Sequence, residues 1–193
     1  MLIVLTCEVI MEKNRENDVR LRLIRAGLCE LEEHGVSDFS LRRVAAAAEV
    51  SCAAPYRHFK DKNELILAII AHVRESWELL AKNIYEIYSD KKDRVVQLSV
   101  AAVRFWLANG NFRSVLLTGQ SELDDPRRKE LSKFDAPLTS ALSEYTAEAN
   151  KDKGELEFLV LSLTYGAVSL TVGGNISTEA AVENLRSALH SLL

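Results

Sequence analysis

Five lysine and arginine side chains, Arg42, Arg43, Arg57, Lys60 and Lys62, fall with His58 inside the short stretch from Ser40 to Lys62. Interleaved with them are the hydroxyls of Ser40, Ser51 and Tyr56, which donate to oxyanions. Cations and hydroxyls beside the starts of helices suit the phosphate oxygens of a polyanion better than a small neutral substrate.

The elements that must position these groups are short. Ser40 can N-cap a first helix whose apolar residues Leu41, Val44, Ala45 and Ala48 fall on one face at i, i+3, i+4 and i+7. Ser51 offers a second N-cap, which predicts a helix over Cys52 to Phe59 with Tyr56, Arg57 and His58 on its exposed side. Pro55 then stands at the fourth helical position, where it forfeits one hydrogen bond. Asp61-x-x-Glu64 is a capping box that opens a third, long helix with Lys62 in its first turn. Helix, tight turn, helix is the geometry that lays a second helix in the major groove of DNA. There Cys52, Ala53 and Arg57 face base edges, Arg57 being the long donor suited to guanine. Ser40, Arg42, Arg43, Ser51, Tyr56, His58, Lys60 and Lys62 are left for phosphates. Capping alone also accounts for Ser40 and Ser51, and solvated charge for any one of Arg42, Arg43, Arg57 or Lys60.

This stretch resembles the N-terminal DNA-binding domain of the TetR family of transcriptional regulators. The resemblance is carried by Gly35, Phe39-Ser40-Leu41-Arg42, Val44-Ala45, Ala48-x-Val50-Ser51, Tyr56-x-His58-Phe59 and Lys62-x-Glu64-Leu65. It covers residues 17–70 by motif and the remainder by helix count and length. One departure is Glu49, where the family commonly has Gly; a left-handed backbone there costs about 1 kcal/mol relative to Gly. The resemblance implies an all-α fold of about nine helices. A helix-turn-helix domain occupies residues 11–62, and a helical ligand-binding and dimerisation domain residues 63–193. It implies a dimer paired through the last two helices, Glu155–Val172 and Thr178–Leu192, that binds a palindromic double-stranded operator and is released by a small-molecule effector. Tyr56 and His58 resemble the family's phosphate-contacting pair.

The remaining pattern is helical throughout. Leu21, Ile24, Leu28 and Leu31 form one stripe of a helix closed by Gly35. After Asp61, residues Ile66, Ile69, Val73, Trp77, Leu80, Ile84 and Ile87 step by three or four, so one long helix serves the head at one end and the body at the other. Arg94 to Ala108 is apolar almost all round, as expected of a helix at the centre of a bundle. Further helices are expected over Phe112–Leu117 and from Asp125-Pro126 to Ala149, the latter bent at Pro137. Ser162, Gly166, Ser169 and Gly173 make a stripe of small residues beside Leu159, Leu163, Leu170 and Val172. Aromatic residues from separate helices, Trp77, Phe105, Trp106, Phe134, Tyr145 and Tyr165, form either a packed core or an apolar effector pocket.

Composition agrees with a regulator and disfavours an enzyme. The 193 residues are 48% hydrophobic and 27% charged, which suits a globular chain. The net charge of −4 arises wholly beyond residue 60, because residues 1–60 hold nine basic and nine acidic side chains. Local charge governs phosphate affinity. His34, His58, His72 and His190 lie on separate elements, so neither a metal site nor a catalytic constellation is expected, and no cofactor. Three widely spaced cysteines, Cys7, Cys29 and Cys52, point to reduced thiols in a cytoplasm. No uninterrupted apolar run reaches bilayer length, so no membrane partner is expected. Met1 to Ile10 reads as an N-terminal extension ahead of Met11 rather than as a signal peptide. An interaction module that has lost DNA binding is the alternative left open by Glu49 and the neutral head.

Overall fold

The computed structural model describes residues 19–109 and 126–193. Among them are nine α-helices and one 3-10 turn, with no strand. They are α1 (Val19–His34), α2 (Leu41–Ala47), α3 (Ala54–His58), α4 (Lys62–Ile87), α5 (Lys91–Ala108) and α6 (Pro126–Ser132). The turn Lys133–Asp135 follows, then α7 (Ala136–Ala149), α8 (Lys153–Val172) and α9 (Thr178–Leu192). The helix expected over 112–117, the cap at Asp125 and the extension over 1–10 lie outside the described residues. Two compact units divide inside α4, between Glu75 and Ser76. The first takes α1 to α3, the start of α4, and α6; the second takes the rest of α4, α5 as far as Leu107, and Lys133 onward.

In the first unit, α1 buries Leu23, Ile24, Leu28 and Leu31 and packs against both short helices. It ends at Gly35, whose φ of +68° is the left-handed conformation glycine adopts without strain. Gly27 lets α4 approach closely, since a Cβ there would stand 2.8 Å from Ile69 Cδ1. That contact explains why the start of α4 belongs with the first unit rather than with the body. Ser40 caps α2 as expected, its Oγ accepting the Arg43 N–H at 3.4 Å. Glu49 does adopt a left-handed backbone, φ +54°.

The second short helix starts later than expected. Ser51 provides no side-chain cap; its carbonyl accepts the Ala54 N–H at 2.8 Å and Cys52-Ala53 form a turn. Pro55 is the reason: with α3 beginning at Ala54 its missing N–H falls in the first turn, where no intrahelical partner exists. At the start of α4, Asp61 Oδ1 accepts the Glu64 N–H at 3.0 Å, while Glu64 Oε2 accepts from Lys60 N at 2.5 Å, one residue ahead of the usual box partner.

In the second unit α5 is buried on nearly every side, from Val95 to Trp106. The helix expected to run unbroken to Ala149 is interrupted at Lys133–Asp135 instead of merely bending at Pro137. Proline's ring would collide with the carbonyl four residues back, so the chain breaks and Pro137 enters the first turn of α7. The Phe134 and Pro137 carbonyls accept from Trp77 Nε1 at 2.8 Å and Tyr85 OH at 3.2 Å. The long helix α8 buries Leu156, Val160, Thr164 and Val168 on one stripe. By length and composition it is apolar enough to cross a bilayer, contrary to the count of uninterrupted apolar residues. Its Ser, Thr and Gly residues break the run without making the helix polar.

Replacing Glu49 by Gly removes the left-handed strain, and chemical denaturation is expected to show a gain of about 1 kcal/mol. No gain would mean that Glu49 pays no conformational cost.

Candidate nucleic-acid interface

The exposed face of α3 is built by burying one side of a very short helix. Ala54, Pro55 and Phe59 are buried, which turns Tyr56, Arg57 and His58 outward; Tyr56 is 64% exposed. Ser51, Cys52, Ala53 and Lys60 are exposed beside them, as is Arg42 on α2. Cys52 is the free cysteine among the described residues. Ser40 and Lys62 are half-buried. The Lys62 ammonium lies 3.4 Å from the Ser37 carbonyl and 5.8 Å above the centre of the Phe39 ring. From α1, Arg22 donates to the Ala48 carbonyl and to that of Glu49 at 3.3 Å, pinning the tight turn between α2 and α3.

Arg43 differs from its neighbours. Its Nε donates to Glu30 Oε1 and Oε2 at 2.8 and 3.1 Å, and a terminal nitrogen pairs with Glu30 at 2.5 Å and with Asp38 Oδ2 at 3.2 Å. The same nitrogen donates to the Asp38 carbonyl. The hydrogen bond to Glu30, reinforced by the charges of Asp38 and Glu30, holds its pKa above the ordinary arginine value. Glu30 itself is 6% exposed and also accepts the Ser40 N–H at 2.9 Å. It was not among the residues picked out from the sequence. Its signal was present: Glu30 lies seven residues after Leu23, on the buried face of α1, where a carboxylate requires partners.

The expected effector residues separate into two sets. Trp77, Phe105, Trp106 and Phe134 converge, each at most 5% exposed, with ring centres 5.0 to 6.2 Å apart. Tilted and edge-on contacts of this kind are favourable aromatic packing. Tyr145 and Tyr165 are engaged elsewhere. The Tyr145 hydroxyl donates to the Leu193 carbonyl, and the 42%-exposed Tyr165 donates to Asp135 Oδ1 at 2.6 Å. An open, mainly apolar groove of about 280 Å³ runs between α8 and α9, lined by Ser162, Leu163, Gly166, Leu170, Ile176 and Asn184 among others.

The comparisons with known proteins agree with this geometry. Residues 23–69 match the family model described as bacterial regulatory proteins, tetR family. The HTH-type transcriptional regulator AcrR of Shigella flexneri is 36% identical over 75 residues, which are 39% of this chain and 32% of that relative. The chain thus spans about a third of the length of that curated relative. A TetR transcription regulator from Haloarcula marismortui superposes with a TM-score of 0.71 at 19% identity, over 91% of this chain and 96% of the other. The transcriptional regulator FadR from Bacillus subtilis, solved in complex with stearoyl-CoA, gives 0.70 at 14% identity, over 88% and 96%. The fold is the all-helical one of these structures, with an N-terminal helix-turn-helix domain. Residues 23–69 therefore form a helix-turn-helix domain of the TetR-family type.

Partial burial of the phenol, then the Asp135 charge and hydrogen bond, raises the Tyr165 pKa above its ordinary value of 10.0. The folded state therefore keeps this proton longer than the unfolded chain does. Its contribution is fully present below about pH 10 and is lost as pH rises further. Denaturation at increasing alkaline pH is expected to show a shallower loss of stability in Tyr165→Phe than in wild type; equal slopes would contradict the assignment.

Proposed function

We propose that this protein is a dimeric, ligand-responsive transcriptional regulator, acting as a repressor that a small apolar or aromatic molecule releases from a double-stranded operator. The observation that carries this reading is the outward face of α3. Tyr56, Arg57 and His58 stand exposed beside Ser51, Cys52, Ala53 and Lys60, on a support fixed by buried Phe59 and by Arg22 at the turn. In this reading Arg57 meets a base edge, with Cys52 and Ala53 close enough for apolar contact only. Tyr56, His58, Lys60, Lys62, Arg42, Ser40 and Ser51 address the backbone. Side chains this short leave part of the specificity to DNA shape and half-site spacing.

The second subunit is argued from α8. Phe158, Leu163, Tyr165, Leu170 and Val172 are exposed along it, beside the small residues Ser162, Gly166 and Ser169 and the groove shared with α9. A contiguous apolar face of this kind is ordinarily covered by a partner. The α8 and α9 helices of a second copy supply a matching surface, as C2 symmetry requires. The effector acts beside the aromatic cluster of Trp77, Phe105, Trp106 and Phe134, where displacement of one ring opens apolar space. The relative solved with stearoyl-CoA makes acyl-CoA thioesters the first compounds to test. Trp77 sits on α4, the helix that also carries residues of the first unit. A shift of α4 would change the separation of the two reading heads, which must match half-sites roughly 34–36 Å apart.

Two outcomes test the proposal. Against a duplex selected from a random pool by the wild-type protein, Arg57→Ala is expected to relax base preference at one position, costing about 1–3 kcal/mol of discrimination, whereas Lys62→Ala weakens all duplexes and lowers the salt slope by about one. The reverse pattern, or no enrichment of any duplex, contradicts the DNA-binding reading, the latter favouring an interaction module. In sedimentation, wild type is expected as a dimer and Leu170→Arg as a folded monomer with duplex affinity reduced on the order of a hundredfold. A monomeric wild type contradicts the subunit argument.

A further inference from the structure

The first unit contains a buried carboxylate that the DNA-binding reading does not use. Glu30 lies on α1, 6% exposed, and holds two points of α2: the N–H of its capping residue Ser40 at 2.9 Å and the guanidinium of Arg43 at 2.8 Å. Arg43 in turn reaches Asp38 in the loop between the two helices. One ion network therefore ties α1, the loop and the first turn of α2 together. The position of α2 passes directly to the reading segment, because the Val50 N–H donates to the Ala45 carbonyl and the Ala54 N–H to Ser51.

The local charge is wrong for a phosphate. Glu30 and Asp38 place two negative charges against the single positive charge of Arg43, and Glu33 lies beyond His34, whose imidazole stands 3.7 to 3.8 Å from all three carboxylates. Arg42, one residue earlier, is exposed. A guanidinium held at both Nε and a terminal nitrogen by carboxylates is in the fork geometry that arginine satisfies and lysine cannot.

We infer that Glu30 is a positioning residue for the DNA-reading face, and that Arg43 is its internal strut rather than a phosphate ligand. The inference rests on the DNA-binding reading above. It removes one basic residue from the expected contact set and adds an acidic one that never touches DNA.

The test measures affinity for the selected duplex across a series of salt concentrations, with thermal melting of each variant followed by circular dichroism. Glu30→Gln and Arg43→Lys are each expected to weaken binding about tenfold, since the first removes the charge that holds Arg43 in place and the second leaves the buried Glu30 carboxylate poorly satisfied. Both are expected to keep the wild-type salt slope. Glu30→Gln combined with Arg43→Gln is expected to lose about tenfold as well rather than a hundredfold, because the two residues act as one unit. Should Glu30→Gln fail to fold, Glu30→Asp keeps the charge and shortens the reach, with the same expected loss at constant slope. Arg43→Lys binding like wild type, together with an Arg43→Gln slope lowered by about 0.9, would mark Arg43 as a phosphate ligand and overturn the inference. Tighter binding by Glu30→Gln would overturn it too. If wild type binds and only these variants disagree, the DNA-binding reading survives without this refinement. If wild type enriches no duplex, both fall.

Discussion

Helices of five and seven residues do not persist alone in water, because nucleation costs more than one turn of hydrogen bonds returns. Everything proposed for α3 and α2 therefore depends on the apolar seam they make with α1 and α4. Leu23, Leu31, Val44, Ala45, Leu65, Ile66 and Ile69 are fully buried there, and Phe59 nearly so. The seam decides which side of α3 turns outward, so it selects Tyr56, Arg57 and His58 for the surface before any charge is considered. Without it the same residues would be a flexible basic segment with no fixed spacing between donors.

Polar contacts then refine what the seam supports. Arg22 holds the carbonyls at the tight turn, Ser40 and Asp61 satisfy helix starts, and Glu30 with Arg43 sets α2 against α1. The strained Glu49 persists because the surrounding contacts over-determine the turn. In the body, the broken helix at Lys133–Asp135 is held in the same way, by aromatic donors from α4 that bond the Phe134 and Pro137 carbonyls. Tyr165 ties this break to α8, the helix with the exposed apolar face. One short segment thus carries bonds from both helices.

Local chemistry was legible in the sequence wherever one residue decides the outcome: the Gly35 stop, the Ser40 cap, the start of α4 at Asp61, and the all-round burial of α5. It misled where two local rules compete. Ser51 looks like a cap, but Pro55 three residues after Cys52 delays the helix, and Pro137 breaks a helix that periodicity alone would continue. Pairings between distant residues were not legible at all. Nothing at position 43 announces that its guanidinium turns inward to Glu30, and nothing in their spacing separates Tyr145 and Tyr165 from the four rings that do meet.

Cys52 offers the most direct view of the central claim, because its thiol is exposed at the edge of the segment proposed to read DNA. Alkylation by a bulky maleimide, followed residue by residue with mass spectrometry, can be compared in the free protein and in the presence of its selected duplex. The account requires that duplex protects Cys52 strongly and that protein alkylated beforehand no longer binds. Equal labelling with and without duplex, in a protein that still binds once modified, would contradict it.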